Sequence, residues 1–237
     1  MRQIEEPDLH PGRDASRYTD RDVRPPRWQL LPGAAAVVLL LALHCLPRAG
    51  GVDPVHDLLS EYPLRSVGVG VLYAVALLNA DLAAGLLGIA MVRRGLLRGW
   101  LELALLVVWC VSLLGLTVFL KDPAGSAGTW YGAVHEFCTV ANFASLPALC
   151  ALLCWRFRTT PRWHRFTRTV GALAAVSIAC VVPFAVAFLL DRDGLRAHDT
   201  ALGLVERGIV AIDVAVLATM TLWSRAALGS GPRGARG

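Results

Sequence analysis

Residues 66–99 read SVGVGVLYAVALLNADLAAGLLGIAMVRRGLLRG. From Ser66 to Val92 the only charge is Asp81; Arg93, Arg94 and Arg98 then follow in close succession. An α-helix rises 1.5 Å per residue, so about 20 mostly apolar residues cross the hydrocarbon of a bilayer. A helix on a soluble core needs only an apolar stripe, whereas this stretch is apolar nearly all round. It predicts a membrane-crossing helix that ends at a basic turn.

The same pattern recurs on both sides of it. Apolar blocks of similar length run over residues 28–46, 100–120, 131–155, 168–190 and 201–223. Hydrophobic residues make up 55% of the 237-residue chain and charged residues 17%, more apolar material than one soluble core needs. The expected fold class is all-α, an integral membrane bundle of six transmembrane helices. Trp28, Trp100, Trp130, Tyr131, Trp155 and Trp223 stand at block ends, where amphipathic rings favour the headgroup layer. Pro32, Pro147 and Pro183 fall inside blocks and read as kinks, since neighbouring helices can re-satisfy the freed carbonyls. Ala80, Ala84 and Gly88 repeat a small residue every fourth position, a spacing that suits close helix contact.

Lys and Arg set the orientation. Residues 1–27, 92–99, 156–168 and 224–237 together hold seventeen of them, while the alternate connections 47–65, 121–130 and 191–200 hold five. Cytoplasmic loops carry the excess of positive charge, so both termini are expected in the cytoplasm. The net charge of +5 follows from these turns and does not point to nucleic acid. Residues 1–27 and 226–237 are polar and without periodic apolar positions, and read as disordered cytoplasmic tails flanking one transmembrane domain, 28–225. The expected location is the cell membrane, multi-pass, in a bacterial cytoplasmic membrane.

The outward connections are acidic where the inward ones are basic. The first connection of the chain offers Asp53, His56, Asp57, Ser60, Glu61 and Tyr62, the third Asp122, the fifth Asp191, Asp193, His198 and Asp199. His44, His135, Glu136, Glu206 and Arg207 lie in the apolar blocks near the same surface. Arg207 is expected to find its partner on another helix, with Asp122, Glu136 and Asp81 as candidates, because Glu206 points about 100° away around the helix. Ionisable groups at membrane depth face the bundle interior and count as functional-site hypotheses; Asp81 and Asp213 suit a helix contact or a proton relay equally. All six cysteines fall inside apolar blocks without a CxxC spacing, as small buried hydrophobes do, and nothing in the sequence calls for a Cys45–Cys138 disulfide.

The series Asp53-Pro54…Ser60-Glu61-Tyr62, Phe119…Asp122-Pro123, His135 and Glu206-Arg207, in that order and on those helices, resembles the bacterial six-helix membrane family catalogued as domain of unknown function 998. The likeness covers about residues 28–225. Where the family more often has Phe-Pro-Thr before the aspartate, this chain has Phe119-Leu120-Lys121. The resemblance implies fold and topology, and marks Ser60, Glu61, Asp122, His135, Glu206 and Arg207 as a group; the family's activity is unassigned, so it carries over no catalytic residue.

Three functions fit. In the first, no cofactor is involved and an outward-facing polar pocket binds a lipid headgroup or small ligand, through Ser60, Glu61 and Tyr62 as a loop lid with Asp122, His135, Glu206 and Arg207. In the second, His56, Asp122, His135 and His198 hold zinc in a hydrolase of lipid amides or esters, since zinc takes His and carboxylate ligands and keeps one position open for water. In the third, Asp81, Glu206 and Asp213 relay protons in a transporter, a reading weakened by the lack of an inverted repeat. No phosphate-binding Gly loop, nucleophile elbow or HExxH helix is present.

Overall fold

In the computed structural model, residues 27–45, 52–123, 125–192 and 201–228 are described. Among them there is no strand; the chain folds into the long helices α1 (Leu31–Cys45), α3 (Val67–Arg93), α4 (Trp100–Val118), α5 (Trp130–Phe157), α6 (His164–Arg192) and α7 (Leu202–Leu228), with one extra turn of helix, α2 (Tyr62–Arg65). Four of them, α3 to α6, are long and apolar enough to cross a membrane. Leu31–His44 is apolar but shorter, and α7 carries Glu206, Arg207, Asp213 and Arg225. The tails at 1–26 and 229–237 lie outside the described residues.

Local chemistry explains the helix ends. Ser66 starts α3 by accepting a hydrogen bond from the Val69 N–H, and Thr129 starts α5 by accepting one from Gly132. Glu102, in the first turn of α4, reaches back to the N–H groups of Arg98 and Gly99. Helix α3 stops at Gly95, whose φ of 67° only a residue without Cβ adopts cheaply. There the Leu96 N–H bonds the Met91 carbonyl and the Gly95 N–H the Val92 carbonyl, the paired bonds of a Schellman motif, with Met91 and Leu96 both buried as its apolar contact. Pro147 and Pro183 sit inside α5 and α6 without ending them.

Helices α3, α4, α5, α6 and α7 pack in a closed ring, each against the next and α7 back against α3, while α1 lies on the outside of α3. The core is made by Leu146, Leu149 and Leu153 of α5 with Val216, Met220 and Trp223 of α7 and Trp109 of α4. Small residues let the helices close up: a Cβ at Gly88 would meet the Leu106 side chain, and one at Gly115 would meet Cys138 Sγ. Cys138 is a free thiol, and the side chain of Cys45 lies outside the described residues.

The distribution of polarity is inverted relative to a soluble protein. Val67, Val71, Val75, Leu78 and Leu82 form an exposed aliphatic stripe on α3, and Val107, Val111, Leu114 and Val118 form another on α4. Buried instead are Ser112, Asn142, Ser145, Ser177, Glu206 and Asp213. Stripes that long exposed to water would be an aggregation liability; against lipid they are ordinary.

Candidate functional site

The connection between α1 and α3 is built from its own polar residues. Asp53 accepts from the Val55 N–H at 2.9 Å and contacts His56 Nδ1 at 2.8 Å, while Asp57 accepts from the Asp53 N–H at 2.8 Å. The hydrogen bond to His56 does most to hold the Asp53 carboxyl below its usual range, and the Val55 amide adds to it. Arg65 lies within 3.5 Å of Asp57 and 3.7 Å of Glu61, and Glu61 also takes the Lys121 ammonium at 2.9 Å. These short carboxylate bonds fold the loop into a compact plug from which Leu58, Leu59, Ser60 and Tyr62 project into buried positions.

Two consecutive residues of α7 hold that plug from opposite sides. Glu206 accepts the Leu59 N–H, and Arg207 donates through Nη1 to the Asp57 carbonyl at 2.8 Å and to the Gly203 carbonyl at 2.9 Å. Arg207 Nε donates to His44 Nε2 at 2.8 Å, and Nη2 stands 3.5 Å from the Tyr62 hydroxyl. A guanidinium only donates and a carbonyl only accepts, so the bond from His44 Nδ1 to the Leu40 carbonyl at 2.6 Å fixes the tautomer: Nδ1 carries the hydrogen and Nε2 receives Arg207. The Leu204 N–H adds a bond to the Val55 carbonyl at 3.0 Å. Gly203 is where loop and helix touch, since a Cβ there would meet the Asp57 carbonyl oxygen.

The expected partner of Arg207, a carboxylate among Asp122, Glu136 and Asp81, is therefore corrected. An imidazole and two carbonyls, with the nearby phenol of Tyr62, meet the fork instead, because the end of α1 and the plug pack against the first turn of α7. His44, Asp57, Lys121 and Gly203 complete the cluster and were not singled out for it from sequence. The one signal for His44 was a lone imidazole in the last turn of an otherwise apolar helix.

Ser60, Glu61, Tyr62, Glu206 and Arg207 thus come together. Asp122 and His135 belong to the neighbouring connection, joined to the first cluster by Lys121. Asp122 accepts from the Thr129 N–H at 2.8 Å and the Thr129 hydroxyl at 2.7 Å, which hold its carboxyl below the usual range. His135 Nδ1 donates to the Phe119 carbonyl at 2.8 Å. His56, Asp122 and His135 therefore each serve a separate local contact, and among the described residues no three His, Cys, Asp or Glu side chains gather as a metal would need. His198, Asp193 and Asp199 lie outside the described residues, as does the side chain of Asp191.

Deeper in the bundle, Asp81 lies near the Cys110 thiol, and Asn142 donates to the Trp109 carbonyl at 3.3 Å. Asp213 is buried near Cys150. At the opposite end Arg156 grips both oxygens of Glu102 at 2.7 Å, and Arg94 donates to the Ser224 hydroxyl.

Compared with known proteins, residues 26–223 match the family model described as "Protein of unknown function (DUF998)". No curated protein and no solved structure matches the chain.

Proposed function

The chain belongs to the DUF998 family, and from that premise we propose that it is a six-crossing protein of a cell membrane that binds a lipid headgroup or small polar ligand at its outer end. Both termini lie in the cytoplasm in this reading, and the outer end is the one that carries Asp53 to Tyr62. The aliphatic stripes on α3 and α4 and the seventeen basic residues on one side support the crossing and its direction. Residues 28–225 act as one transmembrane domain, with α1 and α7 completing the six, in a bacterial cytoplasmic membrane.

One observation carries the binding: Glu206 is a buried acid with no ion pair among the described residues, beneath a plug clamped by its neighbour Arg207. A buried carboxylate is costly unless something compensates it, and an acid at membrane depth is by default a candidate binding group. Arg207 uses Nε and Nη1 on His44, Asp57 and Gly203, whereas Glu206 accepts only the Leu59 N–H among the described residues, so the acid is the group with acceptor capacity left to meet a ligand. The class it suits is a donor: a hydroxyl or amine headgroup. Glu61, Ser60 and Tyr62 form the wall above it, and Asp122 and His135 brace the adjoining turn.

The test is lipid retention by the full chain under native mass spectrometry, after equilibration with phosphatidylethanolamine and phosphatidylcholine. Preferential retention of the amine headgroup, reduced roughly tenfold by Glu206→Gln, is the expected result. Equal retention of both lipids, or indifference to Glu206→Gln, overturns the reading. Zinc found at one per chain in the same spectra would restore the hydrolase in its place.

A further inference from the structure

The end of the bundle opposite Glu206 holds a different feature. A cavity of about 400 Å³ opens there between the α3–α4 turn, the end of α5, the α5–α6 turn and the end of α7. Arg94, Arg98, Arg156 and Arg162 line it, with Phe157, Trp163 and Thr160. The four guanidiniums come from three segments, Arg94 and Arg98 from the α3–α4 turn, Arg156 from the end of α5 and Arg162 from the α5–α6 turn. An excess of Arg in cytoplasmic turns is explained by topology alone, but topology asks only that the charges be in those turns, not that they converge on one concavity.

The charge balance inside the cavity is incomplete. The carboxylate nearest these arginines, Glu102, is already bonded to Arg156 and to the N–H groups of Arg98 and Gly99. Arg94 holds the Ser224 hydroxyl, a neutral group, and lies close enough to Arg225 for that charge, after burial, to lower its own pKa. Arg162 lies over the Trp163 ring at 4.4 Å, and Arg98 folds back over Gly95, whose missing Cβ leaves it room. Neither Arg98 nor Arg162 makes an ion pair among the described residues. Planar guanidiniums offer forked donors that fit a phosphate oxygen pair, and the rings beside them supply an apolar wall for whatever the phosphate is attached to.

We propose that this inner cavity is a binding site for a phosphate-bearing anion, held by Arg98 and Arg162 against the fixed pair Arg94 and Arg156. A volume near 400 Å³ is at the lower end of small-molecule sites and exceeds what a bare phosphate fills, so a substituted phosphate suits it best. Two sources present that chemistry at this depth: the headgroup of an anionic lipid in the inner leaflet and a soluble phosphate compound. The site does not rest on the ligand assigned to Glu206, which lies at the other end of the helices.

The experiment uses the full chain in two arms. In the first, retention of phosphatidylglycerol against phosphatidylcholine is read by native mass spectrometry; in the second, labelled inorganic phosphate is titrated into protein held in phosphatidylcholine nanodiscs. Arg98→Gln with Arg162→Gln is expected to weaken binding tenfold or more, by roughly the loss of a charge-assisted hydrogen bond or two. Arg158→Gln with Arg165→Gln removes the same charge outside the cavity and is expected to change binding less than twofold. Preference in the first arm alone names a lipid; saturable binding in the second names a soluble phosphate. Binding in neither arm, or equal loss in both double variants, overturns the proposal. Phenylglyoxal labelling of the unaltered chain repeats the test without a variant: the anion that binds must slow modification of Arg98 and Arg162 and spare Arg158 and Arg165, and unslowed modification counts against the site.

Discussion

Arg207 shows how much one side chain does when its donors point at backbone. Its fork joins α7 to the plug through the Asp57 carbonyl and to α1 through His44. Arg207→Ala leaves those acceptors without a partner, and hydrogen bonds to a charged group contribute about 1.5–3 kcal/mol each, so a loss of about 3 kcal/mol is expected in detergent unfolding curves. Arg207→Lys should recover little, because an ammonium lacks the fork; full recovery would mean that charge alone matters. Gly203→Ala should weaken the same junction by forcing a Cβ against the Asp57 carbonyl. Asp122 gives a pH reading. Its carboxyl is held low by the Thr129 amide and then the Thr129 hydroxyl, so its contribution to folding is present above the ordinary carboxylate range and fades as pH falls through the lowered value. Thr129→Val should move that titration upward in carboxyl-carbon NMR, and an unmoved curve would remove the hydroxyl from the account.

At the scale of an element, helix ends were the most readable feature of the sequence. The block at 66–92 became a helix at Val67–Arg93 because bilayer thickness limits the apolar run and Gly95 stops it. Gly95→Ala should cost about 1–2 kcal/mol, the penalty for a Cβ in the left-handed region, whereas Gly68→Ala, at a helical position where an added Cβ meets nothing, should be neutral or slightly stabilising. Thermal midpoints of the two variants moving together would contradict the difference in backbone. Side-to-side contacts were less readable. The repeat Ala80, Ala84, Gly88 indicated that α3 had a close neighbour, and Gly88 does meet Leu106 of α4, yet nothing in the spacing named α4. Nor does the spacing place α1 outside the ring against α3, the position from which His44 reaches Arg207.

For the whole molecule, polarity by end was legible and convergence was not. Hydropathy and Arg counts separate an acidic end from a basic one, but the meeting of Arg94, Arg98, Arg156 and Arg162 depends on how two turns and the end of α5 lean together, which no local pattern encodes. The direction of the bundle in the membrane is the premise on which both sites stand. Ser126 and Thr159 are exposed in connections at opposite ends, and the native cysteines of the described helices lie within apolar segments. With the positive-inside bias of these turns, Ser126→Cys should react with a membrane-impermeant thiol reagent in intact cells, and Thr159→Cys only after the membrane is opened. The reverse result would turn the bundle over and put the Arg cavity outside. Fluorescent reporters that mature only in the cytoplasm, fused to either end of the full chain, then count the crossings by parity. Both should glow under the proposed six crossings, in which the 27-residue α7 spans and the 15-residue α1 is met by local thinning of the bilayer; one dark end would leave an odd number of crossings and remove α1, the shortest of the long helices, from the set.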